Sequence, residues 1–285
     1  MDAWLALWLF AISLGASALG GMLGMASGIF IIPILTMFGH VDIRTAIGAS
    51  LVSVIACSCG GAAPFLRGRL TNIRLAIMLE IATSLGALTG VLLIGTIPPR
   101  FLFVLFAVIL LLSAWQMMAN RRDPVSGNME ASARWTTFGL NSSYPDAKLG
   151  RDVPYRVQRL HLGMLLMYGA GFVSAILGIG SGVLKVPAMD TALRLPIKVS
   201  SATSNFMIGV TGAVSAGAYL MRGEILSAIE GPVALGSAVG AIAGARILVR
   251  IPKEKVRVLF AVVLVGLGAQ MLLRALGIRL LEVAR

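Results

Sequence analysis

The segment Gly24-Met-Ala-Ser-Gly-Ile-Phe-Ile-Ile-Pro33 returns later in the chain as Gly178-Ile-Gly-Ser-Gly-Val-Leu-Lys-Val-Pro187, with Gly, Ser, Gly and Pro in the same places. The copies are 154 residues apart, the distance from Gly24 to Gly178, and both lie in long apolar stretches. An interrupted helix is costly inside a membrane, so two interruptions at equivalent positions indicate the binding site of a transporter. The alternative is close packing of helices through small residues.

Composition predicts that the chain lies in a membrane. Its 285 residues are 58% hydrophobic and 13% charged, and several apolar runs approach the roughly 20 residues that cross a hydrocarbon core. The formal charge of +12 would indicate nucleic acid in a soluble protein. Here the basic residues lie between apolar runs, where they set the orientation of the helices, so no nucleic-acid partner is expected.

Other segments repeat with the same offset and divide the chain. Val104-Leu-Phe-Ala-Val108 returns as Val258-Leu-Phe-Ala-Val262, again 154 residues later. We therefore predict two transmembrane repeats, 1–119 and 161–285, joined by a polar connector, 120–160. The chain does not begin with the basic region of a secretory signal, so its first apolar run is expected to stay as a helix.

The predicted fold class is all-α: a polytopic membrane helix bundle built from two inverted repeats, each with a Gly-rich broken helix. In repeat 1, helices are expected at about 3–22, 29–38, 45–66, 74–95 and 101–119, with the break at 24–28. In repeat 2, they are expected at about 161–177, 182–193, 198–221, 225–249 and 255–275, with the break at 178–182.

The predicted inversion follows from charge. Turn 66–74 carries three arginines, whereas its counterpart in repeat 2, 222–224, carries one arginine and one glutamate. Basic turns face the cytoplasm. With the connector on the cytoplasmic side, turn 66–74 lies inside and its counterpart 222–224 lies outside. The two repeats are therefore expected to cross the membrane in opposite directions. Both termini are then expected outside, although Arg279 and Arg285 near the C-terminus go against the rule.

The residues of the two breaks are suited to bind an anion. Glycine permits backbone conformations that other residues avoid, and Ser27 and Ser181 are expected to cap the short helix that follows each break. The N-terminus of that helix presents unpaired N–H groups and the positive end of its dipole. Substrate-binding residues are therefore predicted at both breaks: Ser27, Gly28, Gly180, Ser181 and Gly182.

Lys185 is the charged residue of the second copy, and Ile31 occupies its place in the first. The predicted short helix puts Lys185 ~13 Å deep, near the middle of a ~30 Å hydrocarbon core. A charge at that depth is by default a functional-site hypothesis, so we predict that Lys185 binds an anionic substrate directly. Two alternatives stay open: the side chain reaches the membrane surface, or it pairs with a buried acid.

Small polar residues lie near the start of the full helix that follows each break. They are Ser50 in repeat 1 and Thr203, Ser204 and Asn205 in repeat 2. Hydroxyls and an amide can ligate an oxyanion without a full charge, so these residues are further candidates for substrate binding. The alternative is that they only bond one helix to another.

Two acids are candidates to carry a proton in coupled transport. Glu80 and Glu230 each lie about six residues inside a predicted helix, and burial would favour their protonated form. A depth of ~9 Å favours the other interpretation, an interfacial acid paired with a nearby Arg or Lys.

Chemistry beyond binding has little support in the sequence. Cys57 and Cys59 are two apart on a helix and point to different faces, so they are a poor disulfide, metal or redox pair. The sequence contains no Walker loop, metal-ligand cluster or nucleophile constellation. It therefore predicts neither an enzyme nor an ATP-driven pump, and it predicts no metal or other cofactor.

The two Gly-rich breaks that end in Pro, 24–33 and 178–187, and the following Ala202-Thr-Ser204 resemble the TauE/SafE family of sulfite and organosulfonate exporters. The resemblance covers nearly the whole chain and implies a bacterial-type inner-membrane permease that exports small sulfur-containing anions. The leading hypothesis is a secondary transporter with alternating access, in which substrate binds between the repeats near mid-membrane. The alternatives are a passive anion channel and a membrane thiol carrier that uses Cys57 and Cys59. The expected partners are the anionic substrate and the lipid bilayer, with a homodimer left open.

Overall fold

The computed structural model describes residues 3–23, 27–37, 39, 41–94, 97–119, 139–146, 150–223, 227–248 and 253–276. In these ranges the chain forms ten α-helices and two short β-strands. In chain order they are α1 Ala3–Leu23, α2 Gly28–Met37, α3 Ile43–Arg67, α4 Ile73–Ile94, α5 Pro99–Ala119, β1 Ser142–Asp146, β2 Arg151–Tyr155, α6 Leu160–Leu177, α7 Gly182–Thr191, α8 Ile197–Met221, α9 Ser227–Leu248 and α10 Lys253–Ala275. Most of the first break, much of the connector, Arg279 and Arg285 lie outside the described residues.

The prediction of a helical membrane bundle is confirmed for the positions of its helices and their apolar character. Each predicted helix matches an observed one, and no end differs by more than two residues. Among the described residues, four helical stretches are long and apolar enough to cross a membrane: Trp4–Gly21, Ile43–Arg67, Ile73–Leu93 and Leu160–Leu177.

The outer surface of the bundle is apolar. On α4, Ile77, Ile81 and Leu88 share one helical face and are 59%, 58% and 50% exposed, whereas Leu79 and Thr83 on the other face are buried. A helix that buries the Thr83 hydroxyl and exposes large aliphatic side chains is arranged for contact with lipid rather than with water.

The helix ends repeat with the offset seen in the sequence. α3 spans Ile43–Arg67 and α8 spans Ile197–Met221, so both ends differ by 154 residues. The same is true of α2 with α7 and of α4 with α9, and α1 and α6 end 154 residues apart. Each helix of the first half therefore has a counterpart in the second.

Glycines bring helices of the two halves into backbone contact. A Cβ on Gly86 of α4 would overlap the carbonyl of Tyr168 in α6, and a Cβ on Gly240 of α9 would overlap the carbonyl of Leu14 in α1. Gly240 is 154 residues from Gly86, and Tyr168 is 154 residues from Leu14. At these contacts, the prediction of helices packed through small residues is confirmed.

The counterparts α3 and α8 pack directly against each other. Gly61 of α3 lies against Asn205 near the start of α8, whereas Ile55, earlier in α3, lies against Gly212, later in α8. Contacts move back along one helix as they advance along the other, so the two helices run antiparallel.

The connector contains an antiparallel hairpin of β1 and β2, which the all-α prediction lacked. Pro145 and Pro154 obscured it in the sequence, but both strands of a two-stranded sheet are edges, where proline is tolerated. The side-chain amide of Asn72 donates hydrogen bonds to the Leu140 carbonyl at 2.9 Å and to the Tyr155 hydroxyl at 3.0 Å. The described part of the connector is therefore attached to the turn between α3 and α4.

Candidate functional site

The link between α6 and α7 has an unusual backbone. Gly178, Gly180 and Ser181 have φ angles of +65°, +73° and +39°, and a Cβ on Gly178 would press against Ile47 and Ser50. The prediction that Ser181 caps α7 is wrong, because its side chain makes no capping hydrogen bond. A capping residue needs dihedrals of the β region, which the positive φ of Ser181 excludes.

The start of α2 meets this link. A Cβ on Gly28 would overlap the Gly178 carbonyl and approach Val54, near the middle of α3. The Ser50 hydroxyl donates a hydrogen bond to the same carbonyl at 2.8 Å. The structure therefore brings two predicted residues of the first half, Gly28 and Ser50, to the break of the second half.

Lys185 lies in a buried cluster of three helices. Its ammonium on α7 donates hydrogen bonds to Glu80 Oε2 of α4 at 3.1 Å and to Thr211 Oγ1 of α8 at 2.6 Å. The Thr211 hydroxyl in turn donates to Glu80 Oε1 at 2.5 Å. Lys185 is fully buried and the Glu80 side chain is 10% exposed. We call Lys185, Glu80 and Thr211 the charged cluster.

The charged cluster agrees with one of the alternatives left open for Lys185, namely that it pairs with a buried acid. Glu80 pairs with a lysine, as one interpretation expected, but that lysine is 105 residues away and both groups are buried. The attraction inside a buried pair offsets the cost of removing both charges from water only if the geometry is good and further hydrogen bonds are made. Thr211 supplies such bonds to both charges. Direct binding of substrate to Lys185 stays a prediction.

Several predicted polar residues have unused hydrogen-bonding capacity. Among the described residues, the hydroxyls of Ser181, Ser200 and Ser204 and the Nδ2 of Asn205 are buried without a hydrogen-bond partner. Most buried polar groups in proteins do have a partner, so each exception calls for an explanation. Ser181 lies just before α7, which carries Lys185, and the other three lie on α8, which carries Thr211.

The hydroxyls around the first short helix, α2, are bonded to one another. Ser27, just before α2, shares a hydrogen bond of 2.7 Å with Ser53 of α3, and Ser53 shares another with Ser237 of α9. All three residues are buried. The predicted site residue Ser27 is therefore part of a satisfied chain between three helices.

The remaining predicted residues lie farther from Lys185 or have structural partners. The Thr203 hydroxyl accepts the backbone N–H of Asn72 at 3.2 Å, and the Asn205 carbonyl accepts a bond from the Ser58 hydroxyl. Glu230 is buried on α9, whereas the charged cluster is on α4, α7 and α8.

The cysteines do not form a pair. Cys57 is buried and Cys59 is exposed, and both are free thiols. The Cys57 thiol points to the Ser17 carbonyl of α1 at 3.9 Å. Among the described residues, no group of three or more His, Cys, Asp or Glu is placed to hold a metal ion.

Thr211 is the residue of the cluster that the sequence analysis missed. A signal was present, because Ser200, Ser204, Thr211 and Ser215 recur at spacings of four, seven and four residues, which share one face of a helix. All four are buried. The sequence analysis considered Thr203, Ser204 and Asn205 and overlooked this longer stripe.

Comparison with known proteins assigns the chain to a family. A family model described as "Sulfite exporter TauE/SafE" matches residues 9–271. The chain belongs to the TauE/SafE family. It is 22% identical to "Probable membrane transporter protein YunE" of Bacillus subtilis (strain 168) over 272 residues, which cover 93% of this chain and 96% of that protein. It is 25% identical to "Probable membrane transporter protein YdhB" of the same strain over 237 residues, 82% of this chain and 86% of that protein.

No solved structure matches the chain. The TauE/SafE match covers the helices from within α1 to within α10, including every residue of the charged cluster. Together with its apolar helices, family membership identifies the chain as a multi-pass membrane transporter.

Proposed function

We propose that this TauE/SafE protein is a secondary transporter that exports small sulfur-containing anions, such as sulfite or organosulfonates, across a bacterial-type inner membrane. The family description names a sulfite exporter. The observation that carries the proposal is the fully buried Lys185, one turn into the ten-residue helix α7. The Ser181 hydroxyl, just before that helix, has no hydrogen-bond partner among the described residues. An ammonium and a free hydroxyl at a helix N-terminus suit an oxyanion.

The two halves are, in this proposal, inverted repeats. The matching helix ends and the antiparallel packing of α3 with α8 support it. A two-fold axis that relates two antiparallel helices is perpendicular to them, as it must be for repeats that cross the membrane in opposite directions. The charge pattern then puts the connector in the cytoplasm and both termini outside. Gating of one repeat against the other gives alternating access.

The substrate is proposed to bind where the broken helices meet, between α7, α8 and the start of α2. Gly180, Gly182 and Gly28 let backbone approach the anion, while Lys185 and Ser181 donate hydrogen bonds to it. Ser204 and Asn205, also with free donors, complete the site from α8. Ser27, Ser50 and Thr203 already have partners and act as the wall of the site.

A screen for stabilisation tests the substrate class. We expect sulfite, thiosulfate, sulfate, taurine or sulfoacetate to raise the melting temperature of the purified protein, because a ligand that binds only the native state stabilises it. Lys185→Met should abolish the shift. Ile31→Met, at the counterpart position of α2, should keep it. The double variant Lys185→Met, Glu80→Gln, which leaves no unpaired charge, controls for a loss of folding.

Transport in proteoliposomes separates a transporter from a passive anion channel. A transporter gives uptake that saturates with anion concentration and shows counterflow against an internal pool of the same anion. Uptake that rises linearly with concentration would instead support a channel. Full activity of the variant Cys57→Ser, Cys59→Ser would remove the thiol carrier from consideration.

A further inference from the structure

In the charged cluster, the Glu80 carboxylate occupies the position beside Lys185 where the proposed anionic substrate would bind. Glu80 Oε2 lies 3.1 Å from the Lys185 ammonium, within the range of an N–H···O hydrogen bond, and an oxyanion would accept the same bond. We infer that Glu80 occupies the place of the substrate on Lys185, and that an incoming anion displaces the Glu80 carboxylate, which then takes up a proton. This inference rests on the proposed function and adds the coupling ion to it.

The geometry provides a route for the exchange. The backbone N–H of Lys185 donates to the Ser181 carbonyl at 2.8 Å, so Ser181 lies one helical turn before Lys185, at the N-terminus of α7. Ser204 lies seven residues before Thr211 on α8, which is the same helix face. Both hydroxyls are buried and unpartnered among the described contacts. They can hold an anion that has not yet reached Lys185, or one that has replaced Glu80 there.

Charge balance requires the proton. In the structure, the ammonium and the carboxylate cancel, and the Thr211 hydroxyl bridges them. A singly charged anion on Lys185 would leave the Glu80 carboxylate buried without a counter-charge, which is strongly unfavourable. Protonation of Glu80 from water restores neutrality: the site holds one ammonium, one anion and one carboxylic acid. One proton therefore moves with each singly charged anion and in the same direction.

Among the described residues, the hydrogen bonds of the cluster involve no titratable group besides Lys185 and Glu80. α4 packs against α6 and α8, and the other titratable side chains of α4, α6, α7 and α8 are Arg74 at the start of α4, His161, Tyr168, Asp190, Lys198 and Tyr219. Tyr168 shares a hydrogen bond with Thr89, Tyr219 donates to the Ala175 carbonyl, and Lys198 lies over the Tyr144 ring. His161 is exposed at the start of α6, and Asp190 lies near the far end of α7.

The exchange predicts a dependence of anion affinity on pH that belongs to Glu80. The probe is methanesulfonate, a sulfonate whose single negative charge stays constant between about pH 6 and pH 8 because sulfonic acids are far stronger acids than carboxylic acids. If binding takes up one proton, affinity for the full-length protein rises by up to tenfold for each pH unit of acidification. Glu80→Gln should bind the same anion at least as tightly at about pH 8 as the wild type does at about pH 6, with no pH dependence.

Stability gives a second readout. In Glu80→Gln the Lys185 charge has no counter-charge until an anion arrives, so the anion should raise the melting temperature of this variant more than that of the wild type.

In proteoliposomes loaded with a pH-sensitive dye, entry of methanesulfonate should acidify the lumen with the wild type. With Glu80→Gln the anion should enter without acidification.

The outcomes separate this inference from the proposed function. If the wild type binds and transports the anion with no pH dependence, or if Glu80→Gln keeps the wild-type dependence, the exchange is wrong and the transporter stands. If Glu230→Gln removes the dependence and Glu80→Gln does not, the proton carrier is on α9 and the inference is overturned. If neither methanesulfonate nor any of the five anions of the screen binds either protein, the proposed function itself fails.

Discussion

The two halves of the molecule place different residues at equivalent positions around their short helices. Around α7, these positions form the charged cluster, to which α7 and α8 of the second half contribute Lys185 and Thr211 and α4 of the first half contributes Glu80. The residues 154 positions away are Ile31 on α2, Ala234 on α9 and Cys57 on α3, which we call the neutral cluster. α2 and α7 nevertheless have the same length, and α3 and α8 have the same length. The fold of a half therefore does not need the charges.

The difference indicates what the charges are for. Replacing a buried ion pair with apolar residues is often neutral or stabilising, so packing alone does not require the charged cluster. A pair present around only one of the two short helices is best explained by a task that only this site performs. Charged residues inside membrane segments are typically functional for this reason.

The hydroxyls around the two short helices show the same contrast. Around α2, Ser27, Ser53 and Ser237 form a chain of hydrogen bonds. Their counterparts around α7 are Ser181, Met207 and Thr83. Thr83 bonds to its own helix at Leu79, and Ser181 is left without a partner in the described contacts. The hydroxyls around α2 therefore join helices, whereas the Ser181 hydroxyl beside α7 does not do so within the described residues.

The largest effect is expected from moving the charge to the neutral cluster. Ile31 is 1% exposed, and the counterpart of Glu80 is Ala234, so Ile31→Lys buries an ammonium without the acid that pairs with Lys185. We expect the free energy of unfolding to fall by about 3–5 kcal/mol, the range measured when a buried charge loses its partner. Reversible unfolding of the purified protein in mixed detergent micelles measures the change.

The added substitution Ala234→Glu tests whether the two clusters are equivalent in space. It puts an acid at the counterpart of Glu80, so the double variant should recover more than half of the lost stability, with a favourable interaction energy in the double-mutant cycle. If Ile31→Lys were as stable as the wild type, that position would have to be hydrated, and the contrast between the clusters would lose its basis.

A smaller effect is expected from Thr211→Val, which keeps the shape of the side chain and removes its hydroxyl. Both charges of the pair then lose a hydrogen bond, which costs about 1.5–3 kcal/mol in proteins. The matched change in the neutral cluster, Cys57→Val, replaces one small apolar side chain with another and should cost less than about 1.5 kcal/mol. Unfolding in the same micelles compares the two variants. Equal losses at the two positions would mean that Thr211 acts by packing alone.

The helices were predictable from the sequence, and the charged cluster only in part. Helix ends depend on local features, namely apolar runs bounded by Gly, Pro and charged turns, so the predicted and observed ends agree closely. The pair of Lys185 and Glu80 joins residues 105 positions apart, and no local pattern predicts which acid a buried lysine will meet. The sequence analysis identified both residues as candidates but assigned them separate tasks.

Two errors have physical causes as well. The expected cap at Ser181 failed because the left-handed backbone of the break, which Gly178 and Gly180 share, extends to the serine. The β1–β2 hairpin was missed because Pro145 and Pro154 look incompatible with strands, although edge strands tolerate them. In both cases the local residue preference was overridden by the position of the residue in the fold.

The smallest effect is expected from removing one hydroxyl in each half, and its direction should differ between the halves. Ser27→Ala breaks a hydrogen bond in the satisfied chain and should lower the free energy of unfolding by about 1 kcal/mol without changing anion affinity. Ser181→Ala removes a hydroxyl that has no partner among the described residues, so stability should stay the same or rise, while anion affinity falls. Melting curves with and without methanesulfonate measure both effects on the same samples. A loss of stability in Ser181→Ala without a loss of affinity would show that both serines join helices, and the site would have to be sought elsewhere in the bundle.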